Sequence, residues 1–451
     1  MSTLLERTKG SALDIIIHHD TPAGVATLIS PRAQQIRCLE FRQSHWQDIV
    51  TFSKSNSGRF PLLRTLKIIS PQGTPSRGQP NVVTPPSLSL FRRSVNLEKF
   101  VFHSRKLLSL DHFIFPNLTT FILVSHPGEE WSVSHLLDFL KGSPMLQTVK
   151  LKISSKLRLW DVPEETVAIL PKVETFSLHV VDDHTALVYG IAAHISCPCA
   201  RYTSLMHERD QAHTYVGLQI LPTFSWDQIV HQYAASPLEE VTLKIKGSEG
   251  CEDIECSLTF RSSDATVIRL GVNVNEIGVD NDLMPPVHMG WEIFCQALTT
   301  IHLHPQRSHL KRLHIKYIVG IPDACDIDEV VLEVEKVFSS LEPLDELTIH
   351  GCDLRVFLST FLKELRFCRS EPPIVFRQVK QFTILDPLIE RGERRCIDAI
   401  VELARLQHTL GIPFERMTVR MWDLPIGMEE ELRQWVGVVD CRQEEDGEEY
   451  I

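Results

Sequence analysis

The chain has 451 residues, with 46 Lys and Arg against 58 Asp and Glu, a formal net charge of −12 at pH 7. That balance excludes bulk electrostatic attraction as the force holding the protein to nucleic acid or to an anionic membrane, because both surfaces carry the same sign. Hydrophobic residues make up 43% and charged residues 23%, ordinary globular usage that excludes disorder over most of the length.

In the opening residues no basic segment is followed by an apolar run, and no stretch approaches the roughly 18 apolar residues of a membrane span. The 11 cysteines, an odd number, do not form the dense paired framework of a small secreted domain. These features predict a cytoplasmic or nuclear protein with no membrane and no nucleic acid among its partners. The first predicted element is a strand, in which Leu13, Ile15 and Ile17 alternate.

From there one short pattern recurs: apolar, two residues, apolar, one residue, apolar. It appears as Ile36-Leu39-Phe41, Leu63-Leu66-Ile68, Leu97-Phe100-Phe102, Leu118-Phe121-Leu123, Leu146-Val149-Leu151 and Val173-Phe176-Leu178. It returns as Leu238-Val241-Leu243, Leu310-Leu313-Ile315, Leu344-Leu347-Ile349, Val379-Phe382-Ile384 and Phe414-Met417-Val419. Pro61, Pro116, Pro144, Pro171, Pro237, Pro343 and Pro413 stand one or two residues before the first apolar position. Chance would supply roughly one such proline in this set. A proline there stops one element at a turn just before the next strand begins.

Between these strands the chain alternates between loops and helical periodicity. Residues 71–89 open with a run rich in proline and glycine and read as a surface insert. Ser134–Lys141 reads as a helix that ends at Gly142-Ser143-Pro144. Inserts near 184–221 and 251–273 interrupt the repeat step. In the second, Cys256–Arg261 and Thr266–Val272 flank Ser262-Ser263-Asp264 as a hairpin would. Trp226–Ala235, Asp326–Leu341 and Arg394–Leu410 have the apolar spacing of helices with one buried face. An acidic tail is expected over 437–451, where Glu444, Glu445, Asp446, Glu448 and Glu449 cluster.

Strand, loop, helix and turn in that order give parallel strands. A unit this small cannot cover its own apolar strand face, so neighbours stack and share one core. The expected fold is therefore α/β: a leucine-rich-repeat-like solenoid over residues 1–436, with a curved parallel sheet on the concave face and helices on the convex face.

Tests for chemistry find no phosphate-cradling glycine loop, no strand-linked GxGxxG and no GxSxG elbow. His207 and His213 are six apart rather than four, so they do not share a helical face. Cys197 and Cys199, with His194 and His207 nearby, are the best zinc candidates, yet one residue between paired cysteines is not the usual structural spacing. His302, His304, His309 and His314 lack a nearby acid or cysteine and read as solvated strand histidines. No catalytic, metal or cofactor residue is assigned, and the chain is read as not an enzyme.

What remains is surface. Residues flanking the central apolar position of each motif point away from the core. They form a candidate binding face: Thr65, Lys67, Lys99, Thr148, Lys150, Thr175, Glu240, Thr242, Arg312, His314, Glu346, Thr348, Gln381, Thr383 and Arg416. A plain solvated sheet with good β propensity accounts for the same residues.

The stretches LLERTKGSALDIII, SPMLQTVKL, SPLEEVTL, SLTFRSSD and ELRQWVGVVDC resemble the repeat region of fungal F-box and leucine-rich-repeat proteins, over nearly the whole chain. In that family an N-terminal F-box docks on the Skp adaptor of a cullin ubiquitin ligase, and the repeats select the protein to be ubiquitinated. Here the repeat-like segment opens the sequence, so the likeness is to the repeats without a recognisable F-box. A Skp-type adaptor is therefore implied by resemblance alone. The function expected is a non-catalytic protein-interaction scaffold; the alternatives are a metal-dependent enzyme housed in the inserts, or a remnant with no specific partner.

Overall fold

A computed structural model describes residues 11–18, 29–42, 60–69, 94–104, 115–125, 131–154, 157–158, 166–181, 186–209, 233, 237–247, 254–274, 297, 301, 309–318, 344–351, 379–385, 394–421 and 424–443. The chain divides into two units, Met1–Glu208 with Gln228–Ala235, and Arg209–Asp227 with Ser236–Ile451.

In the first unit the main sheet runs in chain order: β1 (Leu13–His18), β2 (Ile36–Arg42), β3 (Thr65–Ile69), β4 (Lys99–Ser104), β5 (Thr120–Ser125), β7 (Thr148–Ile153), β10 (Thr175–Val181) and β12 (Tyr202–Arg209). All of these neighbours pair parallel. Two short parallel pairs lie outside it: β6 (Trp131–Ser132) with β8 (Leu157–Arg158), and β9 (Ala168–Ile169) with β11 (Ile195–Ser196).

The second unit contains β13 (Leu238–Gly247), β14 (Ile254–Ser262), β15 (Val267–Val274), β16 (Arg312–Ile318), β17 (Glu346–His350), β18 (Gln381–Leu385), β19 (Arg416–Met421) and β20 (Val438–Gln443). Its sheet order is β15-β14-β13-β16-β17-β18-β19-β20. The β13–β14 and β14–β15 pairs are antiparallel, and from β13 onward to β20 every pair is parallel. The hairpin expected in the 251–273 insert is β14–β15, a lateral extension of this sheet.

Every apolar residue of the eleven repeats is buried, none more than 5% exposed. Register explains how one pattern builds a continuous interior. Leu39, Leu66, Phe100, Phe121, Val149 and Phe176 align strand to strand, as do Leu313, Leu347, Phe382 and Met417. Alternation along each strand sends these residues to one face and their neighbours to the other.

The proline signal marks a repeated β-turn. The N–H of Leu63, Leu97, Leu118, Leu146, Val173 and Ala200 donates to the carbonyl three residues earlier, at Phe60, Ser94, Phe115, Ser143, Leu170 and Cys197. Both ends of each turn are buried. Its second position is proline in five of the six, at Pro61, Pro116, Pro144, Pro171 and Pro198, where the fixed φ suits the turn and no donor is needed. One carbonyl then receives two successive N–H groups from the following repeat: Arg64 accepts from Glu98 (2.8 Å) and Lys99 (2.9 Å), and Gln147 from Glu174 (2.8 Å) and Thr175 (3.1 Å). The same arrangement holds in the second unit at Lys311, Asp345 and Lys380.

Two of the four expected helices lie among the described residues. Val133–Lys141 buries Val133, Leu136, Leu137, Phe139 and Leu140. Its Phe139 ring lies 4.5 Å from that of Phe121, on the core side of the sheet. Arg394–Thr409 matches the expected helix at Arg394–Leu410. Ala186–Ala193 and the short helix Met428–Leu432 complete the described α-helices. The 71–89 insert and the Asp326–Leu341 helix lie outside the described residues, as does all of Trp226–Ala235 except Tyr233.

Two boundaries differ from the expectation. The 184–221 insert begins with a full repeat, comprising helix Ala186–Ala193, the turn Cys197-Pro198-Cys199-Ala200 and strand β12. The acidic tail does not start at 437, because Val438–Gln443 is a strand paired along its length with β19; only 444–451 keeps that reading, outside the described residues.

Candidate functional site

The sequence-predicted face is brought together within each unit as rows running across the strands. In the first unit Thr65, Lys99, Thr120, Thr148 and Thr175 are register neighbours, and so are Lys67, Val101, Ile122, Lys150 and Ser177. In the second unit one row is Glu240, Arg312, Glu346, Gln381 and Arg416, and the next is Thr242, His314, Thr348, Thr383 and Thr418. All are half-buried or exposed except Val101, which is 7% exposed.

Carboxylates on these faces are bracketed by cations. Glu40, 4% exposed, accepts from Arg42 and, at 3.0 Å, from Lys67 Nζ. Burial alone would raise its carboxyl, but the hydrogen bonds from Arg42 and Lys67 outweigh that and hold the group below its ordinary value. Glu208 Oε2 stands 3.0 Å from Lys152 Nζ and 2.7 Å from His179 Nε2. Burial, and then the Lys152 charge, push His179 below its ordinary value despite Glu208. Glu240 lies between Arg312 (3.2 Å) and Arg261 (3.3 Å), and Glu255 between Arg269 (2.6 Å) and Lys244 (3.9 Å).

The sequence reading missed Glu40, Glu208 and Glu255. Glu40 was legible, since it flanks Leu39 in the first repeat as Lys67 flanks Leu66. Glu208 and Glu255 become neighbours of their cations only through strand pairing.

Charge is therefore segregated. At the open-face positions of the described second-unit strands stand Lys244, Lys246, Arg261, Arg269, Arg312, Lys316, Arg416, Arg420 and Arg442, against Glu240, Glu255, Glu346 and Asp440. The first unit has Arg42, Lys67, Lys99, Lys150 and Lys152 against Asp14, Glu40 and Glu208. Among the described strand residues, both open faces thus carry more cations than carboxylates in a chain of net charge −12.

The zinc candidates are distributed by the repeat turn. Cys197 is its buried first residue and Cys199 its exposed third, and burial raises the Cys197 thiol far above its ordinary value. His194 Nδ1–H donates to the Thr166 carbonyl at 2.8 Å, which ties that ring to the backbone. Among the described residues no group of three or more His, Cys, Asp or Glu is placed to hold a metal ion. His213, His302 and His304 lie outside them. No helix among them is long and apolar enough to cross a membrane.

No family model matches the chain, and no curated protein matches it.

Proposed function

We propose that the protein is a non-catalytic interaction scaffold, a leucine-rich-repeat-like solenoid that holds a protein partner on the concave face of its parallel sheets and carries its helices on the convex face. The observation that carries this reading is the in-register rows of threonine and charged residues opposite the core. A surface built from one residue of every repeat suits an extended partner, because each strand offers the next contact about 4.8 Å further on. The resemblance to the repeats of fungal F-box receptors extends the proposal to ubiquitin-ligase substrate recognition, with a Skp-type adaptor as a further partner.

Proximity labelling in the native cell, repeated with an Arg312→Glu and Arg416→Glu variant of unchanged circular dichroism, tests the reading. A reproducible set of proteins that shrinks with the variant supports it. The absence of any protein enriched over a folded control refutes it. Enrichment of the Skp adaptor bears separately on the ligase connection.

A further inference from the structure

Building on the scaffold reading, we infer that the open face of the first unit takes an extended acidic segment of a protein partner, with an acidic, any, aliphatic, any, acidic pattern. Lys67, Val101, Ile122 and Lys150 occupy one continuous row on β3, β4, β5 and β7. The two lysines are three strand steps apart, about 14 Å at about 4.8 Å per step. In an extended peptide, residues four apart span about 13 Å, and the residue midway points the same way. A segment crossing the strands therefore sets one carboxylate at each lysine and an aliphatic side chain between Val101 and Ile122.

Charge favours this occupant over a second copy of the chain or a basic partner. Lys67 Nζ stands 3.0 Å from Glu40, a carboxylate that Arg42 also reaches. Lys150, at the far end of the row, and Lys99, in the row beside it, make no ion pair among the described residues. Among the described residues Lys67, Lys99 and Lys150 face one carboxylate, Glu40, a local positive balance in a chain of net charge −12 that attracts a short acidic segment at close range. A long polyanion such as nucleic acid would meet the repulsion of the whole chain.

The test uses the full chain. Peptides selected from a random displayed library are expected to converge on the acidic, any, aliphatic, any, acidic pattern. A fluorescent peptide built on Glu-Ser-Leu-Ser-Glu is expected to bind about tenfold more weakly when both its glutamates become glutamine, or when the protein carries Lys150→Glu. Lys150→Gln should weaken it less, and Arg416→Glu on the other unit should leave it unchanged. The inference is overturned if Lys150→Glu binds like the parent. It is also overturned if a single-stranded oligonucleotide of equal charge competes as well as the peptide, since the face would then take any polyanion. Convergence on an unrelated pattern overturns it while leaving the scaffold reading intact. Failure of both peptide selection and proximity labelling removes both.

Discussion

Replacing Phe121 by alanine strikes the first unit at its cluster of buried aromatic rings. The ring is fully buried. It stacks on Phe100 with centroids 5.8 Å apart and meets Phe139 of helix Val133–Lys141 at 4.5 Å. Phe100 and Phe139 in turn both touch Phe115 of the preceding turn, at 6.1 and 6.3 Å. Truncating a buried Phe costs about 3–5 kcal/mol, and each ring pair adds about 0.5–1.5 kcal/mol beyond area burial. Phe121→Ala is therefore expected near the top of that range, a large share of the 5–15 kcal/mol typical of a folded domain. Hydrogen exchange read by mass spectrometry should show the loss in the peptides containing β4, β5 and β7, with urea denaturation giving its size. Thr120→Ala, one residue away on the half-exposed face, should cost under about 0.5 kcal/mol. In a double-mutant cycle with Phe139→Ala the losses should be less than additive. A Phe121→Ala cost below about 2 kcal/mol, or a Thr120→Ala cost that matches it, would show that the face assignment is wrong.

Other perturbations test separate parts of the structure. Because the folded Glu40 carboxyl titrates below its ordinary 4.5, the stability it contributes is complete above that value and is lost as pH falls through the folded one. Glu40→Gln should thus be less stable than the parent by about 1–2 kcal/mol at pH 7 and equal to it in strong acid, by urea midpoints across pH. Burial pushes the Cys256 thiol up to about 12, and Cys197 is buried as well; iodoacetamide at neutral pH should label exposed Cys199 and spare both until urea unfolds the chain. A Cβ on Gly437 would stand 2.9 Å from the Glu415 carbonyl oxygen, so Gly437→Ala should lower stability by about 1–3 kcal/mol in the same assay. Ala265, at the β14–β15 turn, has φ of 66°, and Ala265→Gly should raise the melting temperature through a gain of about 0.5–1 kcal/mol.

How much of this was legible depended on whether apolar periodicity carried the signal. The eleven repeats were readable because every one keeps three apolar positions facing the core. The repeat ending in β12 was not, because Thr203 stands at its central position and His207 further along, both buried. A polar residue there breaks the pattern even though the turn Cys197-Pro198-Cys199-Ala200 is intact, and the same turn made two cysteines look like metal ligands. Strand β20 was hidden by its neighbours, since the acidic run after Gln443 drew the tail boundary back over Val438–Gln443. Threonine and charge on the open face were predicted by alternation. The paired carboxylates were not, because Lys152 and Glu208 are 56 residues apart in sequence and meet only after the strands find their register.

The doubly accepting carbonyl that recurs between parallel strands, as at Arg64, Gln147 and Lys380, has an evolutionary consequence. Its two bonds are made by main chain, so the same pair recurs where the flanking side chains differ. Copying or excising the gene segment for one repeat leaves the same acceptor and the same pair of donors at the new junction. The number of strands in the sheet is thereby less constrained than the bonds that join them.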